Sequence, residues 1–442
     1  LTGDELERRG YRVLLLDAQH PEKSDKFNPL EMVDRLANGG NLPGAEQAAD
    51  AVARTLIAGE NDAKANHWTE SARSLLAATI LLVVLDEGCP RSCKHLATVY
   101  HIICLGTEGT GEDPCEPLKG LFRSLPQGHP ARSRASQFIS SGGNELRSIV
   151  STLKVNLRIY ASAPIARMTS GDDIDPRRIL SEKTALFLHV MDEGSPYNAI
   201  AAVLFEQLYA AVYSIADATG GKLPRPVSIL GDEWGNLPKV ECLPSLLSLG
   251  RSYGLFWMGA VQNISQLNKY GERDGRKKIL ANCGVKVAMK LGEAEDRQYF
   301  TELVGKTTRH TMGTSSSRGP SGGTGSTSYS EHADDLIHPW EWTEMSPDKD
   351  GVIVVKTAEN GVGREHAGCF RAPVCDCTRM PTKEHFDLGT REHETAKRME
   401  YQARLISRQM GRGDGIDLWT PEFEEDAADP PVADGWSGLF VD

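Results

Sequence analysis

The sequence predicts an α/β fold in which a mainly parallel sheet carries an inserted all-helical domain. The first observation is a set of short, almost continuously apolar runs, typical of strands buried on both faces of a sheet. These runs are residues 11–17, 184–190, 226–231, 255–261, 285–291 and 351–356. The second is that helical stretches such as 197–217 and 243–251 separate most of the runs. Alternation of this kind favours a parallel sheet.

The block between the first two runs has a different character. From about residue 44 to 167 it shows only helical periodicity interrupted by Gly and Pro. The candidate helices are residues 45–57, 68–85, 93–103, 117–124, 131–139 and 144–160. We therefore predict that residues 44–170 form a separate all-helical domain, and that residues 1–43 and 171–373 together build the sheet domain.

The C-terminal third contains two further segments of distinct composition. Residues 311–330 are almost purely Gly, Ser and Thr, which predicts a flexible loop because so little apolar surface could be buried there. Residues 392–409 alternate charges at helical spacing, and an acidic, proline-containing stretch follows from Thr420. We predict a helix and an acidic tail within residues 374–442.

Charge and cysteine content restrict the class of protein. The formal net charge of −12, from 61 acidic and 49 basic residues, argues against wholesale wrapping by nucleic acid but permits a ring with a basic lining. Nine scattered cysteines in 442 residues favour a reduced, cytoplasmic setting. The longest apolar run, residues 75–85, is about half of the roughly 20 residues that a spanning helix needs. It predicts the buried centre of a helix.

Two adjacent carboxylates carry the sharpest chemical signal. Asp232 and Glu233 directly follow the apolar run 227–231 in the stretch VSILGDEWGNLP, which is the Walker B arrangement. In that arrangement the first carboxylate, Asp232, holds Mg²⁺ through water, and the second, Glu233, polarises the water that attacks the γ-phosphate of ATP. The carboxyl ends of parallel strands are also where open α/β sheets bind ligands. The alternative is a polar strand end that runs into a turn.

Two further residues fit a nucleotide site. Gln262 directly follows the run 255–261, where a polar side chain beside Walker B could sense the γ-phosphate; the alternative is a surface amide. Arg251 lies on the connection between the two strands, and could stabilise transition-state charge in a neighbouring subunit. Arginines are also common on exposed turns.

One segment resembles a phosphate loop but lacks the first glycine of the motif. Gly305-Lys306-Thr307 fits the end of G-x-x-x-x-G-K-[ST], but Phe300 stands where the first glycine is required. The segment before it reads as helix rather than a glycine-rich cradle, and it follows the Walker B strand instead of preceding it. We therefore reject it as a phosphate loop.

Two other groups of residues suggest a zinc site and a DNA contact, and each has a simpler explanation. His366, Cys369, Cys375 and Cys377 could bind zinc, but they lack a paired C-x₂-C knuckle, so buried cysteines are favoured. Trp340 and Trp342 could stack on bases of single-stranded DNA. Tryptophans spaced in this way more often anchor a loop.

Several stretches together carry a family resemblance. LLSLGRSYGLFWMGAVQNISQLNKYG and ILANCGVKVAMKLGEAEDRQYFTELVGKTT, which follow the carboxylate pair, resemble the coupling proteins of type IV secretion, the TraG/VirD-type conjugative DNA-transfer ATPases. FNPLEMV at residues 27–33 is similar to the family segment that precedes its helical domain. DDLIHPWEWTEM at 334–345 is similar to a late segment that follows a flexible loop. The resemblance covers about residues 5–373.

The resemblance implies a RecA-like P-loop NTPase core and a hexameric ring at the cytoplasmic face of the bacterial inner membrane. It implies ATP and Mg²⁺ as cofactors, and ATP-driven passage of single-stranded DNA with bound relaxase through a type IV secretion channel. Glu233, Gln262 and Arg251 are then the catalytic candidates, and Asp232 is the candidate Mg²⁺ ligand. The helical domain would receive substrate proteins.

One departure from the family pattern bears on activity. The family's Walker A loop precedes the strand found here at residues 11–17, so it would lie upstream of Leu1. We therefore expect a fragment without the membrane region and Walker A, which binds ATP poorly, hydrolyses it negligibly and could be monomeric. The principal alternative is a non-catalytic docking module that binds relaxase or a secreted protein. A ring ATPase that moves protein or double-stranded DNA is a third reading, which the long helical insertion and Asn28-Pro29-Leu30 disfavour.

Overall fold

The computed structural model describes residues 2–57, 63–110, 112–192, 194–271, 274–319, 322–357, 368–373, 391–409 and 416–423. The chain divides into two compact units. The first comprises Leu1–Gly259 and His385–Asp442, and the second comprises Ala260–Glu384.

Four strands of the first unit form two parallel pairs. β1 (Arg12–Asp17) pairs with β2 (Thr184–His189), with Arg12 opposite Thr184 and Asp17 opposite His189. β3 (Val227–Gly231) pairs with β4 (Leu255–Gly259). The parallel α/β arrangement predicted from the apolar runs is thus confirmed for this unit.

The helices of the first unit fall mainly between β1 and β2. They are α1 (Thr2–Arg8), α2 (Glu31–Asn38), α3 (Leu42–Leu56), α4 (Ala63–Leu85), α5 (Leu96–Gly106), α6 (Glu116–Ser124), α7 (Pro130–Arg134), α8 (Ser136–Ser140), α9 (Gly143–Leu157), α10 (Ala163–Met168), α11 (Pro176–Ser181), α12 (Asn198–Ala218) and α13 (Leu243–Tyr253). Short 3₁₀ helices occur at Pro21–Lys23, Arg91–Cys93, Arg158–Ala161 and Trp234–Asn236. We call α2 to α10 the helical block.

The helical block confirms the predicted all-α insertion. Among the described residues between β1 and β2, no strand is present. Local signals set the helix starts: Asn41 caps α3 by accepting a hydrogen bond from the Gly44 N–H at 3.0 Å, ahead of Pro43 in the first turn. The block belongs to the same compact unit as β1 to β4. Its division into a separate domain at residues 44–170 therefore stays a prediction.

Helix α4 forms the centre of the helical block. Its side chains from Leu75 to Val84 are buried without exception, and it packs against α3, α7 and α9. By length and composition, His67–Leu85 and Asn198–Ala218 could each cross a membrane, but 72% and 61% of their most apolar windows are buried inside the protein. Both pack as core helices here, as predicted for residues 75–85.

The C-terminal part returns to the first unit. The predicted helix is present as α18 (Arg391–Gln409), where Arg404 hydrogen-bonds to Asp4 of α1. Residues 416–423, which we call the C-terminal segment, have no helix or strand, and their Trp419 and Phe423 pack on the core of the helical block. The remainder of the predicted acidic tail, residues 424–442, lies outside the described residues.

His95 joins the C-terminal segment to the start of α5. Its Nε2–H donates to the carbonyl oxygen of Asp417 at 3.0 Å, and its Nδ1 accepts from the Thr98 N–H at 3.3 Å. Both ring nitrogens are satisfied only in the neutral form. Burial accordingly lowers the pKa of His95 from 6.5 to about 4.

This buried neutral imidazole predicts a loss of stability in acid. The pKa of His95 is lower in the folded state than in the unfolded state, so protonation favours the unfolded state. The free energy of unfolding therefore decreases as pH falls from about 6.5 toward 4. The full loss, reached below about pH 4, is roughly 3 kcal/mol, and a little under about 2 kcal/mol of it falls between pH 7 and pH 5. Urea unfolding at pH 7 and pH 5 measures this part. His95→Asn keeps an acceptor for the Thr98 N–H and should flatten the pH dependence; an unchanged slope would contradict the assignment.

The second unit is built around three antiparallel strands. β5 (Val285–Ala288) pairs with β8 (Val352–Lys356), which pairs with β9 (Gly368–Ala372). The parallel reading was wrong for the runs at 285–291 and 351–356. The apolar character of a run indicates that the strand is buried, but it does not indicate the direction of the neighbouring strand. These two runs pair directly with each other. The helices of this unit are α14 (Asp274–Asn282), α15 (Ala294–Val304), α16 (Glu341–Glu344) and α17 (Pro347–Asp350), with a 3₁₀ helix at Ile264–Tyr270.

The Gly/Ser/Thr segment, predicted as a flexible loop, forms paired strands; its flexibility stays a prediction. β6 (Lys306–Gly319) and β7 (Gly322–Asp335) pair antiparallel over their whole length. The described side chains of the ribbon are largely exposed, in agreement with the low apolar content of the segment. The hairpin nevertheless forms, because main-chain pairing and cross-strand hydroxyl pairs need no core. One such pair joins Thr311 Oγ1 to Ser330 Oγ at 2.7 Å.

Candidate active site

The Walker B carboxylates lie where the sequence predicts them. Asp232 and Glu233 directly follow the last residue of β3, and both side chains are exposed to solvent. They therefore stand at the carboxyl end of a parallel strand pair, which is the ligand-binding edge of open α/β sheets. Exposed carboxylate oxygens suit Mg²⁺, which keeps several waters and takes one or two protein carboxylates. The residues present thus fit the metal.

A buried tryptophan fixes the turn that carries Glu233. Trp234 begins the 3₁₀ helix Trp234–Asn236, is 2% exposed, and packs on Phe205 and Trp257 with ring centroids 5.1 and 5.4 Å apart. In the same turn, Asn236 Nδ2 donates to Glu233 Oε2 at 2.9 Å. This hydrogen bond favours an orientation of the exposed Glu233 carboxylate toward Asn236.

Two glycines make room for these indoles. Gly231 ends β3 opposite Gly259, the last residue of β4. A Cβ at Gly231 would lie 2.6 Å from a ring carbon of Trp234, and one at Gly259 would lie 2.1 Å from the ring of Trp257. Neither strand end tolerates a larger residue without moving an indole. This packing was not predicted; its only signal in the sequence is a strand-ending glycine two or three positions from a tryptophan.

Asn198 connects the end of β2 to the Walker B turn. The side chain is 3% exposed. Its Oδ1 accepts from the Met191 N–H at 2.9 Å, and its Nδ2 donates to the carbonyl oxygens of Met191, Asp192 and Asn236 at 3.0, 3.1 and 3.1 Å. One amide thus positions main-chain groups of two loops beside Glu233. Nothing in the sequence pattern distinguishes it from an ordinary first residue of a helix.

Removing this amide should destabilise the first unit. Asn198→Ala removes the partner of four part-buried main-chain groups, and an unsatisfied group that is fully buried costs about 1–3 kcal/mol. We expect the free energy of unfolding to fall by at least about 2 kcal/mol in urea titrations. Asn144→Ala, at an exposed position of α9, should change it by less than about 0.5 kcal/mol. Equal effects of the two substitutions would refute the bridging role.

The ends of β1 and β2 also carry polar side chains that the sequence analysis did not select. Asp17 is 7% exposed and accepts through Oδ1 from His189 Nδ1 at 2.9 Å and from the N–H groups of Gln19 and His20 at 3.0 and 3.1 Å. Like Asp232, Asp17 and His189 terminate apolar strands, and that position was the available signal. They belong to the carboxyl edge of the β1–β2 pair.

Gln262 and Arg251 lie in settings that differ from the predicted ones. β4 ends at Gly259, so Gln262 follows three residues later, is exposed, and its N–H donates to Gln266 Oε1 at 2.9 Å. It belongs to the second unit. Arg251 is on the last turn of α13 rather than on the connection, because the helix continues to Tyr253 and stops at Gly254, whose φ of +88° is left-handed. That Gln262 senses the γ-phosphate, and that Arg251 acts on the site of a neighbouring subunit, stay predictions.

Two further candidates were the phosphate-loop-like segment at Gly305 and the group of possible zinc ligands. Gly305 joins α15 directly to β6 with a φ of +95°, so Gly305-Lys306-Thr307 does not precede a helix as a phosphate loop must. Of the weighed zinc ligands, Cys369 is exposed on β9, while His366, Cys375 and Cys377 lie outside the described residues. Within the described residues, no cluster of three metal-ligating side chains occurs.

The fold and the site define the class. Two parallel strand pairs, an acidic pair at the carboxyl end of β3 and an all-helical insertion after β1 match the RecA-like P-loop ATPase fold with an inserted helical domain. Its solved neighbours include the bacterial conjugative coupling protein TrwBΔN70, with a TM-score of 0.56, 14% identity, and coverage of 82% of this chain and 73% of that chain. TrwB in complex with ADP and Mg²⁺ is similar at a TM-score of 0.55 and 14% identity, covering 84% and 79%.

The sequence comparisons give the family. The profile described as type IV secretory system conjugative DNA transfer matches residues 1–399. Conjugal transfer protein TraG of Escherichia coli is 23% identical over 321 residues, which are 67% of this chain and 47% of TraG. Protein VirD4 of Rhizobium rhizogenes is 26% identical over 261 residues, 58% of this chain and 36% of VirD4. This chain belongs to the type IV secretory system conjugative DNA transfer family. It spans less than half the length of these relatives.

Proposed function

We propose that this chain is the cytosolic motor part of a conjugative coupling protein, which couples ATP hydrolysis to transport of single-stranded DNA. The observation that carries the proposal is the exposed pair Asp232–Glu233 at the carboxyl end of β3, in which Glu233 accepts a hydrogen bond from Asn236. Membership of the conjugative DNA transfer family supports it. So does the fold shared with TrwB, for which complexes with the ATP analogue ADPNP and with ADP and Mg²⁺ are known.

Each site residue has a defined role in this proposal. Asp232 would hold Mg²⁺ through water, and the ion would supply positive charge beside the phosphates. Glu233 accepts a hydrogen bond from the attacking water and orients it toward the γ-phosphate. Gln262 senses that phosphate, and Arg251 contacts the site of a neighbouring subunit. The Asn236 hydrogen bond keeps the Glu233 carboxylate in place before nucleotide arrives.

The proposed partners follow from the family. They are single-stranded DNA with bound relaxase, the components of a type IV secretion channel, and further copies of the chain in a hexameric ring at the cytoplasmic face of the inner membrane. A net charge of −12 is compatible with DNA only if contact is confined to a narrow basic lining. The helical block is the proposed receiver of substrate proteins.

ATP hydrolysis with and without single-stranded DNA tests the proposal. The measurement uses the full-length gene product, because residues 1–442 contain no G-x-x-x-x-G-K-[ST] sequence. We expect Mg²⁺-dependent turnover that single-stranded DNA stimulates. A folded protein that binds ATP yet does not hydrolyse it in either condition would overturn the motor proposal.

The second candidate is a docking module without motor activity. The missing phosphate-loop sequence in these residues favours it for the chain taken alone. The two functions differ in what transfer requires: a docking module works without Glu233, whereas a motor does not.

A further inference from the structure

The C-terminal segment runs along one helix of the helical block. Asp417 meets His95 at the start of α5, Thr420 Oγ1 lies 3.1 Å from His101 Nε2 in the middle, and Phe423 lies over Gly106 at the end. From residue 95 to 106 a helix rises by about 16 Å, and six residue steps of extended chain span up to about 20 Å. The segment therefore follows α5 in the same direction as a nearly extended peptide.

The groove that holds this segment has features suited to a peptide. A Cβ at Gly106 would lie 2.7 Å from Leu118 Cβ of α6 and 3.1 Å from Phe423 Cε1, so the glycine allows both α6 and the phenyl ring to approach α5 closely. Trp419 and Phe423 pack on the apolar core of the helical block, and Pro421 is buried. His95 and His101 provide the polar contacts. We call the surface defined by His95, His101 and Gly106 the α5 groove.

The segment is held by side chains rather than by main-chain pairing with a helix. In the described part of the chain, no hydrogen bond between main-chain groups joins residues 416–423 to a helix. The contacts come from two histidine side chains along α5 and, on the segment, from two half-buried aromatic rings and the buried Pro421. Six positions separate the segment from the end of α18 at Gln409. A short tether of this kind supplies an effective concentration of the order of millimolar, so a modest intrinsic affinity suffices for binding in cis.

We propose that the α5 groove is a peptide-binding site, that residues 416–423 occupy it in cis, and that a partner peptide of the same pattern displaces them. The pattern is an extended peptide with an aromatic residue, a hydroxyl residue directly after it and a second aromatic residue four positions after the first, as in Trp419, Thr420 and Phe423. This function is separate from nucleotide hydrolysis and stands whether or not Glu233 acts in catalysis.

The test measures binding of a fluorescently labelled peptide of residues 416–423 (IDLWTPEF) to the full chain by anisotropy. The double variant Trp419→Ala/Phe423→Ala weakens binding of the cis segment to the α5 groove, so the segment no longer competes with the added peptide. The peptide should therefore bind to this variant at least about tenfold more tightly than to the unchanged chain. The matched control is Trp340→Ala/Phe370→Ala, two exposed aromatic residues of the second unit, which should bind like the unchanged chain. A peptide that carries the same two alanines should not bind.

A second variant locates the binding site. Adding His101→Leu to the weakened chain removes the hydrogen bond to Thr420 while it keeps a buried side chain, and should reduce peptide affinity severalfold. Thermal melts followed by circular dichroism verify that each variant is folded. Equal peptide binding to the unchanged and weakened chains, or no binding to a folded weakened chain, would overturn the proposal. An unchanged chain that is dimeric by light scattering and becomes monomeric when weakened would also overturn it, since the segment would then bind a second copy.

Discussion

Glu233→Gln is expected to lower DNA-stimulated ATP turnover of the full-length protein by roughly 10²–10⁴-fold, the usual contribution of a positioned acid–base group. Nucleotide binding should survive, because Asp232 remains as the Mg²⁺ ligand and the glutamine is nearly isosteric. Its amide oxygen can still accept from Asn236 Nδ2, which lies 2.9 Å from Glu233 Oε2. The substitution thus removes the charge that polarises water and leaves the turn intact.

The matched control for this substitution is Glu241→Gln. Glu241 is an exposed carboxylate eight positions further along, paired with Lys239 at 2.8 Å, and its loss should leave turnover within about twofold. Hydrolysis is measured by phosphate release, and binding by a fluorescent nucleotide. Full turnover in Glu233→Gln would reduce the acidic pair to a polar strand end, and intact DNA transfer in that variant would favour the docking module.

Trp342→Ala is expected to destabilise the second unit by about 3–5 kcal/mol, as for other fully buried aromatic residues. Trp342 is 0% exposed, its Nε1–H donates to Thr301 Oγ1 at 2.9 Å, and its ring packs on Phe300 at a centroid distance of 5.9 Å. The substitution removes a large part of a small core and leaves a buried hydroxyl without its donor. Urea unfolding followed by far-UV circular dichroism measures the change.

Trp340→Ala provides the comparison within the same stretch of sequence. Trp340 is 59% exposed, so its removal should cost less than about 1 kcal/mol. The pair also separates packing from base stacking, because a ring buried as deeply as that of Trp342 cannot stack on DNA. A stable Trp342→Ala variant with weakened DNA binding would contradict the structural assignment.

Local patterns were sufficient for most of the secondary structure. The predicted helix at 117–124 is present as α6 (Glu116–Ser124), and the predicted strand at 184–190 as β2 (Thr184–His189). Both follow from the spacing of apolar residues and from turn residues at their ends, which act within a few positions. The same reasoning placed Asp232 and Glu233 after a strand, since an apolar run that stops at two acids is visible in the sequence. The family resemblance rests on contiguous stretches of this kind.

Strand direction and pairing required the tertiary structure. The runs that became β5 and β8 are apolar whichever way they pair, and only the register of Val285 with Lys356 establishes that they are antiparallel. The hairpin of β6 and β7 was mistaken for a loop because its stabilising groups, the main-chain pairs and cross-strand hydroxyls, leave no apolar signature. Composition reports what a segment can bury, and this ribbon buries little.

The sequence by itself determined the alternation of helices and strands, the all-helical insertion and the position of the acidic pair. The tertiary structure alone decided what surrounds them. Asn198 reaches the carbonyl of Asn236 across 38 positions, and His95 reaches that of Asp417 across 322. Such contacts depend on where the whole chain brings distant residues together. Apolar periodicity acts between neighbours along the chain, so it fixes the elements and leaves these long-range partners undetermined.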